Sequence, residues 1–255
     1  MPPGKTSTGR TPSSPYWGTD MPAGFYAQNP DSGTYVIDDT FRSLAVRATG
    51  TVTLDADGYG SVTRAGPVSP MLAIRCTTNT AVFGGTVFTG GSMNWNLRGT
   101  PGAVVTYYVF DVPTAQPGNY GLQIYNAAGQ LCFDSSMQYA RFAGRLLDDN
   151  VTVTPASLTL PTGKTYAVVM LKSAWEFHRN YKTEGIPSPE GNTYFRTRFD
   201  RGGVSVNSNV IQMGWYDLGN YDDWSDHPFP AEQLYLHPTY GHYSADALIL
   251  DVTGY

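Results

Sequence analysis

The sequence has few charged residues, few cysteines and no long apolar run. Only 15% of its 255 residues carry a charge, whereas roughly a quarter is usual in globular domains. Glu and Lys, which build amphipathic helices, are therefore scarce, and 28 Gly, 18 Pro and 18 Tyr are present instead. This composition favours an all-β protein.

The same scarcity disfavours several kinds of partner. The net charge of -5 and the pI near 5.2 leave no basic stripe to neutralise phosphates, so nucleic acid is not an expected partner. The longest apolar runs, at 166–171 and 245–250, are strand-sized and shorter than the ~20 residues of a membrane helix. Residues 1–15 contain no apolar core of a signal peptide. We therefore expect no membrane insertion and no secretion through a signal peptide.

The two cysteines, Cys76 and Cys132, are far apart and have no companion cluster of histidines. Neither zinc nor another cofactor is expected from that arrangement. Cys132 lies between Leu131 and Phe133, where cysteine commonly behaves as a small buried apolar residue. We predict two free buried thiols in preference to the alternative, a disulfide.

Three regions can be separated along the chain. Residues 1–22 contain five prolines and no periodic apolar pattern, which predicts an extended N-terminal arm that becomes ordered only by docking onto a neighbour. Residues 23–172 alternate short strands with turn signals and predict an antiparallel β-sandwich, immunoglobulin-like or jelly-roll-like. Residues 173–255 predict an aromatic, loop-rich C-terminal β region, either a second domain or an extension of the first sheet.

One turn in the second region has a strong signal. The segments 51–54 and 60–63 flank an Asp/Gly-rich turn and predict a β-hairpin whose Val52, Leu54 and Val62 share one face.

The last third of the chain also carries loop and strand signals. We predict a long exposed loop over 184–191, a strand over 204–215, an Asp-rich aromatic loop over 216–243 and a final strand over 245–252.

The segments 24–38 and 121–134 share a weak internal sequence similarity. In each, an apolar strand leads through an Asn/Gly turn into a second strand that ends in Asp. The alternatives are an internal duplication and a chance recurrence of common turn residues.

Two motifs resemble those of a known family. The first runs Tyr-Gly-Leu-Gln-Ile-Tyr-Asn-Ala-Ala-Gly-Gln-Leu-Cys-Phe-Asp-Ser-Ser over 120–136, and the second runs Tyr-Val-Ile-Asp-Asp-Thr-Phe-Arg-Ser-Leu-Ala-Val-Arg over 35–47. The first resembles the YGLQVYN-x-x-G-x-x-x-FDS hairpin of the tail-tip and tail-fibre-associated structural proteins of long-tailed, siphovirus-type bacteriophages. The second is similar to the IDD-x-Y-x-N-x-x-L opening of that family. The resemblance stops before the last third of the chain.

The resemblance implies a virion component of the phage tail, made in the host cytoplasm, with no activity attached. The implied partners are other phage tail proteins, namely the central fibre or hub and the tail-fibre subunits, together with further copies of the chain. A host surface receptor or glycan is the alternative partner. The chain departs from the family pattern at Cys132, where another apolar residue is more common.

The first motif also has a purely structural interpretation as a β-hairpin with an Asn/Gly turn. Its apolar side chains can supply an inward face: Leu122, Ile124, Leu131 and Phe133. Asp134 and Ser135 can cap exposed backbone donors.

The best enzymatic candidate is a carboxylate pair of the glycosidase type. The acids lie near Trp215 and Trp224 and are Asp217, Asp222, Asp223 and Asp226. Glycosidases hold two carboxylates at a set separation, whereas acids in an Asp/Gly/Asn-rich stretch are ordinarily solvated turn formers. No GxSxG or phosphate-binding motif occurs, and we expect no enzyme.

A metal site is the second chemical candidate. It would use His227, His237 and His242 with Asp223 or Asp226. The spacings between these histidines fit no recognised motif, and His227 and His237 each precede a proline. We expect extended loop residues, with an ion held by Asp carboxylates on a symmetry axis as the alternative.

Aromatic side chains are the most function-like feature of the composition. Tyr and Trp bury large rigid area at small entropic cost, so they are enriched in contact surfaces and serve equally as sugar platforms. The interaction candidates lie in the last third: Tyr181, Tyr194, Trp215, Tyr216, Tyr221, Trp224, Tyr235, Tyr240 and Tyr243. We predict a contact surface there, with some of these residues belonging to the core.

Overall fold

A computed structural model of the chain describes residues 26–28, 35–38, 42–83, 91–114, 121–149, 155–181, 193–225, 240–242 and 244–255. Only the backbone is described at 26–28, 35–38, 83, 175–181, 193–201, 215–225 and 240–242. The described residues form strands and turns and contain no helix. None of them therefore belongs to a helix of the length and hydrophobicity that crossing a membrane requires. The predicted all-β class is confirmed, and the predicted arm at 1–22 lies outside the described residues.

Strands follow one another along the whole described chain. They are β1 (Tyr26–Gln28), β2 (Tyr35–Asp38), β3 (Ala45–Thr53), β4 (Tyr59–Ala65), β5 (Met71–Arg75), β6 (Thr80–Phe83), β7 (Ser92–Gly99), β8 (Val104–Asp111), β9 (Gln123–Tyr125), β10 (Leu131–Asp134), β11 (Phe142–Asp148), β12 (Ser157–Thr159), β13 (Tyr166–Lys172), β14 (Trp175–Tyr181), β15 (Thr193–Asn207), β16 (Val210–Ser225), β17 (Tyr240–His242) and β18 (Ala245–Asp251).

Two antiparallel sheets pack face to face. The six-stranded sheet has the order β11-β18-β13-β5-β8-β3, and the eight-stranded sheet contains the path β12-β16-β15-β6-β7-β4 with β14 and β17 attached beside β15. The last third of the chain completes both sheets, because β18 lies between β11 and β13 and the β15–β16 pair lies between β12 and β6. The predicted antiparallel β-sandwich is confirmed, and its immunoglobulin-like or jelly-roll-like subtype stays a prediction.

The core lies between the sheets and is built by alternate residues of each strand. Ile74 and Val168 from one sheet and Leu97 and Ile211 from the other are fully buried. Burying an aliphatic side chain of this size contributes about 1.5–3 kcal/mol. The outer face of the six-stranded sheet carries a second, smaller cluster around Phe110.

Both cysteines are packed inside the protein as free thiols. Cys76 is 4% exposed and Cys132 is 1% exposed, and they form no disulfide. The prediction of two free buried thiols is confirmed.

The turn after β3 connects the two sheets instead of two paired strands. β3 pairs with β8 and β4 pairs with β7, so the predicted β-hairpin is wrong. Val52, Leu54 and Val62 do share one apolar space, because both strands point these side chains into the core between the sheets. Alternation produces the same sequence pattern whether two strands pair side by side or face each other across a core.

β15 and β16 form one hairpin of two long strands. The turn consists of Ser208 and Asn209, and Ser208 has a positive φ of 56°. The prediction of one strand over 204–215 is therefore wrong. The predicted loop over 216–243 is also wrong where the structure describes it, because β16 continues to Ser225 and β17 occupies Tyr240–His242. The rest of that loop and the loop predicted at 184–191 lie outside the described residues.

The long hairpin pairs with different strands along its length. Val204 of β15 pairs with Thr80 of β6 inside the sandwich, whereas residues 195–201 pair with β14, which in turn pairs with β17. We call residues 175–181, 193–201, 215–225 and 240–242 the aromatic ribbon. Its nine-residue stretch at 193–201 spans about 30 Å at the rise of an extended strand.

The two segments with internal similarity, 24–38 and 121–134, each contain a two-stranded sheet. Tyr26 lies opposite Asp38 in the β1–β2 pair, and Gln123 lies opposite Asp134 in the β9–β10 pair. Each pair also contains one irregularity of register. The two segments are therefore similar in local structure as well as in sequence. Internal duplication and chance are the two alternatives for the origin of this similarity.

Candidate functional site

The first motif forms a small unit that we call the signature hairpin, residues 121–138. Asn126 shapes its turn, because the side-chain Oδ1 accepts hydrogen bonds from the N–H groups of Ala128 at 3.0 Å and Gln130 at 2.8 Å. Gly129 has a φ of 74°, which glycine adopts without steric cost. The predicted Asn/Gly hairpin is confirmed.

The apolar side chains of the signature hairpin do not all face inward. Ile124 and Leu131 are buried, and the Phe133 ring stacks on Tyr139 with 5.0 Å between the ring centroids. Leu122, predicted on the same face, is 46% exposed, so that part of the prediction is wrong. Leu122 precedes the first residue of β9, and strand alternation does not fix the direction of a side chain outside the strand.

Asp134 ties the end of the signature hairpin together. Its buried carboxylate accepts hydrogen bonds from the Ser136 hydroxyl at 2.6 Å, the Ser136 N–H at 2.8 Å and the Gln123 amide at 2.7 Å. These bonds, led by that of the Ser136 hydroxyl, hold the pKa of the Asp134 carboxyl below its ordinary value. Ser135 Oγ accepts the N–H of Leu122 at 2.8 Å. Asp134 and Ser135 both cap backbone N–H donors, as predicted. Their hydrogen bonds hold the end of the signature hairpin together.

The two motifs, far apart in sequence, touch each other in the structure. Arg42 of the second motif donates from Nε to the Leu131 carbonyl at 3.2 Å, across 89 positions. The N–H of Val46 donates to the Gln138 carbonyl at 2.8 Å. Residues that carry the family resemblance in two separate stretches therefore form one structural unit.

A cavity of about 410 Å³ opens where the two motifs meet. Val46 and Arg47 of β3 line one side, and Ser136, Met137 and Gln138 line the other. The lining combines one positive charge, polar groups and a methionine, which adapts its shape to a partner. This junction cavity has room for a side chain or a short loop of another protein.

The aromatic interaction candidates are collected by strand pairing. Seven of the nine lie in the aromatic ribbon by their backbone positions: Tyr181, Tyr194, Trp215, Tyr216, Tyr221, Trp224 and Tyr240. Tyr235 and Tyr243 lie outside the described residues. The register places Tyr194 opposite Trp224. Their role in an interaction stays a prediction.

Three of the four acids of the enzymatic candidate, Asp217, Asp222 and Asp223, lie in the same ribbon by their backbone positions. Asp222 lies opposite Arg196 and Asp217 lies opposite Asp200 in the β15–β16 register, and Asp226 lies outside the described residues. Opposite charges at facing positions commonly stabilise a sheet, and the backbone register gives Arg196 and Asp222 such positions.

The histidines of the metal candidate are only partly described. His242 lies opposite Trp175 in the register of β17 and β14, and His227 and His237 lie outside the described residues. Among the side chains that the structure describes, no group of three or more His, Cys, Asp or Glu is placed to hold a metal ion.

Sequence reasoning missed two tyrosines that the structure sets in defined surroundings. Tyr139 stacks on Phe133 beside the junction cavity. Tyr59 lies under the guanidinium of Arg98, with 3.5 Å between the guanidinium carbon and the ring centroid. Each of these two ring contacts depends on a tertiary contact or on strand pairing. The only sequence signal for them is the large number of tyrosines in the chain.

Comparison with known proteins finds no match to this chain among protein families, curated proteins or solved structures.

Proposed function

We propose that this chain is a structural protein of the tail of a long-tailed bacteriophage, at the tail tip, baseplate or tail-fibre attachment region. It joins neighbouring tail proteins through surface contacts and catalyses no reaction. The supporting observation is the hydrogen bond that Arg42 in the motif segment 35–47 donates to the Leu131 carbonyl in the motif segment 120–136. A chance likeness in two separate stretches gives no reason for those stretches to meet in space.

Two surfaces are offered to partners in this proposal. The junction cavity receives a segment of a fibre, hub or tail-fibre protein, because it is open, mixed in polarity and lined by both motifs. The aromatic ribbon supplies a second contact, with Tyr194 and Trp224 at facing positions, to further copies of the chain or to a sister subunit. Tyr and Trp are enriched among residues that dominate binding energy at interfaces.

The location is tested on purified virions of the phage that encodes the chain. Mass spectrometry detects the polypeptide in the particles, and a map of intact particles from electron microscopy places the sandwich at the tip or fibre end of the tail. Absence of the chain from particles purified to constant composition would contradict the proposal.

The junction cavity is tested with a matched pair of charge insertions. Met137→Glu places a carboxylate in the cavity, whereas Val104→Glu places one on a side chain that is 55% exposed at the far end of β8. Both purified variants are first compared with the unaltered chain by circular dichroism and melting temperature. We expect Met137→Glu to be lost from particles and Val104→Glu to be incorporated normally. Equal incorporation of the two folded variants would rule out the cavity as a contact.

A receptor- or glycan-binding module on the same particle is the second candidate function. A groove beside Tyr59, which combines this aromatic ring with the polar side chains of Asp55, Ser61 and Asn96, favours it.

A further inference from the structure

The outer face of the eight-stranded sheet carries an open groove at its edge. β4 is the edge strand, and its Tyr59 and Ser61 lie opposite Arg98 and Asn96 of β7. The groove has a volume of about 460 Å³ and is lined by Asp55, Tyr59, Gly60, Ser61 and Asn96. This volume lies within the range of small-molecule sites.

The Tyr59 ring packs against a cation although it also reaches solvent. The guanidinium carbon of Arg98 lies 3.5 Å from the ring centroid, which is within the range of a cation–π contact. Arg98 is only 8% exposed, whereas Tyr59 is 40% exposed. A buried cation therefore covers one face of a half-exposed aromatic ring, and the C–H groups of a sugar would pack on the part of the ring that solvent reaches.

A carboxylate is held in place beside this ring. Asp55 Oδ1 accepts hydrogen bonds from the N–H groups of Asp57 at 2.9 Å and Tyr59 at 2.8 Å. These bonds fix the Asp55 side chain at the groove that it lines, where a carboxylate can accept a hydrogen bond from a hydroxyl.

Hydroxyl and amide groups continue along the same surface. Thr63 Oγ1 donates to Asn94 Oδ1 at 2.9 Å, and Asn94 Nδ2 donates to Asn96 Oδ1 at 3.3 Å. This chain of hydrogen bonds orients the Asn96 amide at the groove, next to the exposed Ser61 at the facing position of β4. The groove therefore presents acceptors and donors that match the hydroxyls of a polyol.

We infer that this groove binds a saccharide, with one pyranose ring on Tyr59 and its hydroxyls bound by Asp55, Ser61 and Asn96. The lining disfavours an anionic ligand, because the Asp55 carboxylate repels an anion. The inference deepens the second candidate function, places it on the sandwich and rests on that candidate.

The binding test uses the isolated chain and free sugars. A printed array of microbial and mammalian glycans selects ligands, and saturation-transfer NMR measures glucose, galactose, mannose, rhamnose and N-acetylglucosamine. We expect binding of at least one sugar, a loss of affinity of about tenfold or more in Tyr59→Ala, and nearly full affinity in Tyr59→Phe, which keeps the ring.

The matched control is Tyr125→Ala, since Tyr125 is 45% exposed on the signature hairpin, against 40% for Tyr59. It should bind sugar as the unaltered chain does, and the melting temperature of each variant confirms its fold. No binding to any glycan, or equal binding by folded Tyr59→Ala, would overturn the inference. Failure to bind any sugar would contradict the saccharide site but not the proposed role in tail assembly. Absence of the chain from virions would contradict the role in assembly but not a measured affinity for sugar. The failures of the two proposals can therefore be distinguished.

Discussion

Replacing Gly203 with alanine is expected to destabilise the protein where β15 pairs with β6. A Cβ on Gly203 would lie 2.8 Å from the carbonyl carbon and oxygen of Thr80 and 2.9 Å from the nitrogen of Ala81. Ordinary contact begins at 3.4 Å, so β15 and β6 would have to separate by 0.6 Å, the difference between 3.4 and 2.8 Å. The obstacle is backbone, which cannot rotate out of the way as a side chain does.

The magnitude follows from two opposing effects. Overfilling a packed site costs about 1–3 kcal/mol, whereas alanine recovers about 0.5–1 kcal/mol of the backbone entropy that glycine loses on folding. The net loss for Gly203→Ala is therefore about 0–2.5 kcal/mol, and we expect the upper half of this range because the obstacle is backbone. It should also weaken the neighbouring pair of Val204 and Thr80.

Gly144→Ala is the matched control, because it makes the same change on a strand of the opposite sheet. The nearest atoms to its added Cβ are the terminal methyl groups of Leu158 at 3.2 Å and Leu160 at 3.5 Å. These side chains can shift by a few tenths of an ångström. We therefore expect a stability within about 0.5 kcal/mol of the unaltered chain.

The assay is unfolding in urea at neutral pH, followed by tryptophan fluorescence and analysed by linear extrapolation. Gly203→Ala should lower the midpoint with an unchanged slope, and Gly144→Ala should leave it in place. If the two variants unfold at the same urea concentration, β15 and β6 do not approach as closely as the structure states.

Three further outcomes can be measured on the same protein. Burial would raise the pKa of the Asp251 carboxyl, but other interactions, led by the Lys164 ammonium, hold it well below its ordinary value. Its stabilisation should be complete above about pH 4 and fall as the pH drops further, and Asp251→Asn should remove this part of acid unfolding. A thiol reagent should label Cys76 and Cys132 in urea and neither in buffer, and rapid labelling in buffer would contradict their burial. Tyr255→Ala should cost about 1–3 kcal/mol, because its ring packs on two rings of the outer cluster, and an unchanged melting temperature would refute that packing.

Local features of the fold were predictable where neighbouring residues decide them. The turn of the signature hairpin follows from Asn126 and Gly129, whose side-chain oxygen and positive φ act within a few residues. The burial of Cys132 follows from its apolar neighbours. The break at Ser208 gave only a weak signal, because small polar residues occur in strands and in turns alike.

The stretch 216–225 shows how composition misleads. Asp, Gly and Asn usually mark loops, yet here they belong to β16, whose partner β15 supplies the backbone hydrogen bonds. A long pairing between strands overrides the weak preference of single residues. The loss of Leu122 from the inward face has the opposite cause, since that residue lies outside its strand.

The amino-acid sequence by itself determined the all-β class, the alternating core positions and the Asn/Gly turn of the signature hairpin, because these depend on composition and on residues close along the chain. Only the tertiary structure decided that β3 and β4 belong to different sheets, that Arg42 reaches the signature hairpin and that Arg98 lies over Tyr59. The physical reason is that alternation with a period of two is the same for every possible partner strand. Which strands pair is settled by contacts between residues far apart in sequence. The junction cavity, the aromatic ribbon and the groove beside Tyr59 are all made by such contacts.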